Sequence, residues 1–483
     1  MKLSRWGALL ALVVLASLAG RLYVISQSGG LWWDEAVYLG LGRALSSYQY
    51  TLEPGVPLES FRPPVTPLVI SSFYWSADYA RCFVALISIF SVLAVYRLGR
   101  DALGETGALF AAAFTATSHL FVFFSSKIMS EPIFIVLFSH SMIMFSSWSR
   151  GRDKKDLFLC GALAGAAFMT RYLAYVLVLA YIVYFLSPLA RKRMPEFRPL
   201  AALLSGFILS LIPWFWIGQA YYGNPVGAFV TNFNIWTFSF AQTLLEGLHM
   251  LASSLNYAWV FLAFGLFVLH SKRRRRNPAL MVSVLVLVIS LAFFLGSGHK
   301  EPRYLLSFFP AYALLAGLGA REAMLNGRWK KLAVAAVCVL SVTSLAYGLS
   351  MAWEDRDSAS GLYQAALFLE GKTGPGESVL TQSYPYVYLV GRKAVPYCEN
   401  YIVNDAWEAC QAQIIARTWE ATAVLPLLEK HNITYVLSYK FELMNPARTI
   451  AYFDREFEKV KSWGQWGEPE AVVVYRANQT GSR

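Results

Sequence analysis

The sequence predicts a polytopic α-helical membrane protein of about eleven spanning helices, followed by a small C-terminal α/β domain. Three observations lead there. Only 15% of the 483 residues are charged and 56% are hydrophobic, whereas soluble domains carry roughly 25% charge; mean hydropathy is +0.44. The apolar residues come in runs long enough to cross a bilayer. Past Ala352 the composition changes to that of ordinary soluble sequence. A membrane part over 1–353 and a soluble part over 354–483 are expected.

In chain order the apolar segments are 6–26, 77–97, 107–125, 131–148, 157–170, 171–187, 200–219, 250–270, 279–296, 303–320 and 332–351. The N-terminal MKLSRWGALLALVVLASLAG resembles a signal peptide, but its apolar run continues to Ile25, so an uncleaved first helix is expected. The stretch 157–187 is too long for one span of about 20 residues. It is split at Thr170-Arg171, and Gly161, Ala164, Gly165 and Ala166 suit close helix packing. The segment 220–250 is aromatic and amphipathic and reads as lying in the membrane interface.

Loop charges orient these segments. With a cytoplasmic N-terminus, the inner loops hold RGRDKK at 150–155, RKR at 191–193 and KRRRR at 272–276. The outer loops hold few basic residues, chiefly Arg43, Arg62, Lys127, Arg171, Lys300 and Arg303. The net charge of +12 thus points to membrane lipids as partners and not to nucleic acid. An odd number of spans puts the C-terminal part outside the cytoplasm. There a helix near 359–371, strands at 378–382, 433–439 and 471–477, and a helix near 418–431 alternate as in an α/β domain. Cys398 and Cys410 are a candidate disulfide if that compartment is oxidising, while Cys82, Cys160 and Cys338 fall in apolar segments as small core residues.

With this topology the outer turns gather both signs of charge. The first carries Trp32, Trp33, Asp34, Glu35 and Tyr38, then Arg62 in FRPPVTPL. Next come SSKIMSEPIF, with Lys127 and Glu131, then Arg171, then GSGHKEPRYLL, with His299, Lys300, Glu301, Arg303 and Tyr304. Ionisable groups at the edge of a membrane are costly to hold there and point to function. Plainer readings stand beside each. Asp34-Glu35 suits an acidic loop with an aromatic belt, Arg62 an interface cation, and Glu131 a helix-dipole partner or a mate for Lys127. Arg171 at a hairpin turn reads first as an interface anchor. Lys300 and Arg303 together suit a phosphate.

WWDEAVYLGLGRAL, FRPPVTPLVI, SSKIMSEPIFI and HKEPRYLLSFFPAYALL together resemble the GT-C superfamily of membrane glycosyltransferases. Nearest is the branch of protein O-mannosyltransferases and lipid A aminoarabinose transferases, and the likeness covers most of 1–350. It implies a sugar donor on polyprenyl or dolichyl phosphate, transfer on the outer face to a protein, lipid or glycan acceptor, and inversion at the anomeric carbon. Asp34 then matches the family's catalytic Asp and Glu35 its usual neighbour. Arg62 stands where many members have Lys, and Glu131 where many have Asp. His299, Lys300, Glu301 and Arg303 resemble the family's loop at the donor phosphate. No full acceptor signature is present.

The chemistry fits that resemblance. Displacing a lipid phosphate from an anomeric carbon needs a base, cations for the departing phosphate and a groove for the tail. Asp34 is the expected base, with Glu35 or Glu131 orienting the acceptor or a metal. Arg62, Lys300, Arg303 and Tyr304 are expected at the phosphate. His299, Glu301, Arg171, Lys127 and Tyr38 are candidates for substrate contact. Asp34, Glu131 and His299 are candidate ligands for a divalent ion, Mg or Mn, although no ligand spacing demands one. The expected location is the prokaryotic plasma membrane. Transport or flipping of a lipid-linked sugar would call for internal repeats and polar groups at mid-membrane, and neither is evident. A non-catalytic membrane scaffold is the remaining alternative.

Overall fold

Apolar runs in a bilayer form helices because their backbone groups find no partner except one another. The computed structural model describes residues 4–47, 49–52, 62–187, 197–227, 229, 240–254, 258–270, 277–297, 300–356, 358, 360–374, 376–395, 428, 430–440, 446–465 and 468–477. The chain divides into two compact units. One comprises Met1–Ser26, Ser60–Thr66 and Arg81–Trp353; the other comprises Gln27–Glu59, Pro67–Ala80 and Glu354–Arg483. The stretches 27–59 and 67–76, read from sequence as loops of the membrane part, and the first residues of the 77–97 span thus group with the C-terminal part.

Six helices among the described residues, each lying mostly in the first unit, are long and apolar enough to cross a membrane. They are Arg5–Gln27, Ala77–Thr117, Glu131–Gly151, Phe197–Tyr222, Pro278–Gly296 and Lys330–Glu354. Ala77–Thr117 is two helices joined at Gly104, whose φ of 77° breaks the helical path; glycine takes such a conformation at little cost. Residues 107–125, read as one span, run helically to Thr117 and resume as His119–Phe124 after Ser118 turns out of the helix. The stretch 157–187 breaks into Lys154–Phe168, a 3₁₀ turn Tyr172–Ala174 and Tyr175–Leu186. The segment 303–320 begins as a 3₁₀ turn, Pro302–Phe308, and becomes the α-helix Phe309–Leu325.

Small residues set how closely these helices approach. A methyl added at Gly161 would overlap the Leu203 carbonyl, and one at Gly206 the Phe158 carbonyl. The helices Lys154–Phe168 and Phe197–Tyr222 therefore touch backbone to backbone, the packing that small residues permit in membranes. Inside the first unit Arg21 is fully buried. Its Nη1 donates to the Ser17 and Ala116 carbonyls at 3.0 and 3.3 Å, and its guanidinium lies 4.9 Å from the Phe121 ring centre. Carbonyls and a ring face offset part of the cost of burying the charge.

The second unit holds a five-stranded mixed sheet of order β2-β1-β3-β5-β4. Its strands are β1 Ser378–Leu380, β2 Lys393–Val395, β3 Ile433–Tyr439, β4 Glu458–Gln465 and β5 Glu468–Arg476. β1 pairs in parallel with β2 and β3, and β5 pairs antiparallel with β3 and β4. The continuous run Ala471–Tyr475 is buried, which suits a strand flanked on both edges and covered on both faces. Phe453, from the helix Pro446–Glu456, packs with Leu380, Val436 and Val473 in the core. The helix Ser360–Glu370 matches its sequence expectation closely. The helix expected near 418–431 lies almost entirely outside the described residues, as do Cys398 and Cys410.

Candidate functional site

The helix Trp33–Leu45 carries the first acidic pair. Trp32 is extended, at φ −69° and ψ 159°, and its backbone N–H donates to Glu35 Oε2 at 2.9 Å. Glu35 is fully buried, so its carboxylate satisfies a donor that the helix start would otherwise leave unpaired. Asp34 is half-buried in the same first turn, and Tyr38 is buried one turn on. Gly40 and Gly42 keep this helix smooth where the Leu52 side chain and the Ser71 backbone approach it.

Four tethers hold the segment within the second unit. Gly29 N–H donates to the Arg356 carbonyl at 3.0 Å. The Tyr386 hydroxyl donates to the Leu31 carbonyl at 2.8 Å, Trp32 Nε1 to Asp355 Oδ2 at 2.9 Å, and Arg43 Nη1 to the Leu389 carbonyl at 2.6 Å. The Trp33 ring meets Tyr384 edge-on, with centroids 5.5 Å apart. Nothing in the sequence signals these contacts, which join residues more than 300 positions apart.

In the first unit, turns and helix starts assemble the other charges. Glu131 opens the helix Glu131–Gly151, with Pro132 in the first turn, where an acid favours the positive end of the helix dipole. Arg171 Nη1 lies 2.5 Å from Glu131 Oε1 and 3.0 Å from Ser130 Oγ, and its guanidinium is 5.7 Å from the Tyr304 ring centre. Glu131 therefore pairs with Arg171; it is not the Lys127 mate that sequence proximity offers. Lys127 is buried, with Nζ 4.9 Å from the Phe123 ring centre. Arg303 meets Glu301 through two contacts, Nε to Oε2 at 2.5 Å and Nη2 to Oε1 at 3.1 Å, and the Tyr304 hydroxyl donates to the same Oε1 at 3.2 Å. The Lys300 ammonium donates to the Ser297 carbonyl. Desolvation draws that ammonium below the usual lysine range, against an opposing pull from Glu246. Gly247 leaves room for the Lys300 stem, which a Cβ there would meet at 3.1 Å. Arg62 is half-buried; its segment is fastened by Val65 N–H donating to the Met169 carbonyl at 3.0 Å, two residues before Arg171.

An apolar recess adjoins these cations. Leu173, Val176, Phe293, Phe294 and Phe308 line it, with Ser290, Ser297, Tyr304 and Ser307 also in its wall. Tyr304 lies under Arg171 and Arg303, and Ser297 accepts from Lys300, so three cations converge on the wall of one apolar slot. His299 lies outside the described residues. Among the described residues no three His, Cys, Asp or Glu side chains gather as metal ligands. Glu131 already shares an oxygen with a guanidinium, and a divalent ion there would have to compete with that cation.

Residues 62–216 match the family model described as dolichyl-phosphate-mannose-protein mannosyltransferase. The fold is similar to that of ArnT from Cupriavidus metallidurans bound to undecaprenyl phosphate, with a TM-score of 0.72 at 15% identity, covering 98% of this chain and 99% of that one. The chain has the GT-C fold. It resembles ArnT in fold over nearly its whole length, and the protein mannosyltransferase family over 62–216. The Archaeoglobus fulgidus oligosaccharyltransferase in its apo form gives a TM-score of 0.61 at 13% identity, over 99% of this chain and 75% of that one. AglB from the same organism, in complex with an inhibitory peptide and a dolichol-phosphate, gives 0.59 at 13% identity, over 99% and 74%. No curated protein sequence matches. With its long apolar helices, the chain is an integral membrane protein. Arg62, Lys127, Glu131 and Arg171 fall inside the segment the family model matches, whereas Asp34, Glu35 and 299–304 fall outside it.

Proposed function

We propose that the protein is a glycosyltransferase that moves a sugar, mannose or another hexose or pentose, from a polyprenyl or dolichyl phosphate to a protein, lipid or glycan acceptor. The observation that carries this reading is the convergence of Arg171, Lys300 and Arg303 on the wall of an apolar slot. A lipid phosphate presents one anionic head and one apolar tail, and that pairing of cations with a hydrocarbon surface suits it. The likeness to ArnT, which was crystallised with undecaprenyl phosphate, supports the same donor class.

In this reading the acceptor hydroxyl attacks the anomeric carbon and the bond from that carbon to the phosphate oxygen breaks. The phosphate leaves with the bonding electrons, and Asp34 takes the hydroxyl proton, with inversion. Arg62, Lys300, Arg303 and Tyr304 bind the departing phosphate. Glu131 and Glu301 orient the guanidiniums of Arg171 and Arg303, and Lys127, Tyr38 and His299 contact substrate. Glu35 holds the helix start that carries Asp34. The positive-inside distribution of loop charges supports an extracytoplasmic C-terminal domain and site; the membrane in this reading is a prokaryotic plasma membrane.

The test is transfer by the purified protein in lipid nanodiscs from a radiolabelled polyprenyl-phosphate sugar, with Asp34→Asn alongside. Loss of a general base is expected to lower turnover roughly 10²- to 10⁴-fold while donor binding persists. Transfer by Asp34→Asn at the wild-type rate would remove the base assignment. Deleting the protein in its host and comparing surface glycans by mass spectrometry identifies the sugar and the acceptor. An unchanged glycan profile counts against the transferase reading.

A further inference from the structure

We propose that the C-terminal domain is part of the catalytic apparatus, with Tyr386, Asp355 and Leu389 positioning the helix that bears Asp34. This rests on the reading of Asp34 as the base. Residues 28–32 enter that helix in neither helix nor strand, and such a segment has no ladder of its own to fix its path. Its polar groups are instead satisfied from the C-terminal part. The Leu31 carbonyl accepts from the buried Tyr386 hydroxyl, the Trp32 indole N–H donates to Asp355, and Gly29 N–H donates to the Arg356 carbonyl.

The far end of the helix is held separately. Arg43 reaches the Leu389 carbonyl at the end of the short helix Tyr384–Leu389. There a cation satisfies a terminal carbonyl and meets the negative end of the dipole. Gly391, at φ 75°, leaves the space the Arg43 guanidinium occupies, and a Cβ there would press against its Nη2. Trp33 packs between these ends against Tyr384 and Tyr386. Asp34 lies between Trp33 and Glu35, so the tethers at Leu31 and Trp32 set where its carboxylate sits. A base must stand within hydrogen-bond reach of the proton it takes, and a misplacement of about 1 Å can cost on the order of 10²-fold in rate. Tyr386, Asp355 and Arg43 are positioning residues in this account; they act through Asp34 and touch no substrate.

The experiment uses the full-length protein in nanodiscs and compares wild type, Tyr386→Phe/Asp355→Asn, Arg43→Met and Tyr475→Phe. Tyr475 donates to Asp454 at 2.9 Å in the sheet of the same unit, and so controls for losing one hydrogen bond in the domain. Two readouts are taken: kcat and KM with a polyprenyl-phosphate sugar, and amide hydrogen exchange of residues 31–45 with β3 and β5 as internal references. The double variant is expected to lower kcat roughly 10- to 100-fold with KM for the donor changed less than about twofold. Exchange in 31–45 should be faster while β3 and β5 stay protected. Arg43→Met, at an exposed side chain, should shift both readouts the same way by less, and replacing Asp355→Asn by Asp355→Glu in the double variant should recover part of the loss. Exchange in 31–45 no faster than in Tyr475→Phe overturns the proposal, as does an effect confined to KM. If wild type transfers no sugar from any lipid phosphate, the transferase reading and the catalytic part of this proposal fall together. Faster exchange would then establish only the tether.

Discussion

The Glu131–Arg171 pair is the most informative place to perturb the first unit. Its side chains are 2% and 14% exposed, with Nη1 and Oε1 2.5 Å apart. Charge centres about 4 Å apart attract by roughly 4 kcal/mol at an effective dielectric of about 20. Removing one partner of a buried pair costs about 3–5 kcal/mol, because the other charge is left uncompensated. In Glu131→Gln, Arg171 would keep Ser130 Oγ and the Tyr304 ring, and its slight exposure admits water. The expected loss is therefore about 2–3 kcal/mol. Arg171→Met should cost a similar amount, since it strands Glu131. The double variant should cost clearly less than the sum, with a coupling energy of about 2 kcal/mol. Reversible unfolding by SDS titration in bicelles measures all three. Additivity within about 0.5 kcal/mol would show that the two side chains do not share a buried pair and would refute the electrostatic account of this turn.

Three further outcomes follow from the same geometry. Glu35→Gln keeps an acceptor for Trp32 N–H and should retain transfer, whereas Glu35→Ala should lose about 1–2 kcal/mol of stability; thermal unfolding beside transfer assays separates a cap from a catalytic acid, and inactivity of a stable Glu35→Gln would restore the catalytic reading. Lys300 is drawn below the usual lysine range, so its cation is lost as pH rises through that lowered value. Donor affinity should weaken with rising pH before reaching about 10.4, and Lys300→Arg should abolish that alkaline limb in a pH series of lipid-phosphate binding. Because Glu131 is engaged by Arg171, chelation with EDTA is expected to leave transfer unchanged; loss of activity restored by Mg or Mn would assign a metal instead.

Particular residues show where sequence reasoning succeeds and where it stops. The break at Thr170-Arg171 was legible because no single span accommodates 157–187, and the tight contact at Gly161 because small residues advertise close approach. The strand expected at 378–382, observed over 378–380, and the one at 433–439 announced themselves by β-rich runs between turn residues. Arg21 is a lone cation within an apolar run, a type of residue that sequence alone marks as costly in a membrane. Glu131 illustrates the limit: its neighbour in sequence is Lys127, and its partner in space is Arg171, 40 positions away. The chain alone shows that both signs of charge occur at these turns. Which cation meets which acid depends on how the helix Glu131–Gly151 packs beside the turn at 169–174.

The sequence by itself determined that the chain is a membrane protein with a small C-terminal α/β part, and its motifs pointed to GT-C. Hydrophobic run length and local motif chemistry are local properties, and a bilayer reads them residue by residue. Only the tertiary structure decided that 27–59 groups with the C-terminal part, that Glu35 is a cap, and that Tyr386 and Asp355 grip the entry to the Asp34 helix. Those contacts join residues more than 300 positions apart. Each is one hydrogen bond, and its partner is chosen by the packing of whole elements; no propensity of the residues themselves selects it.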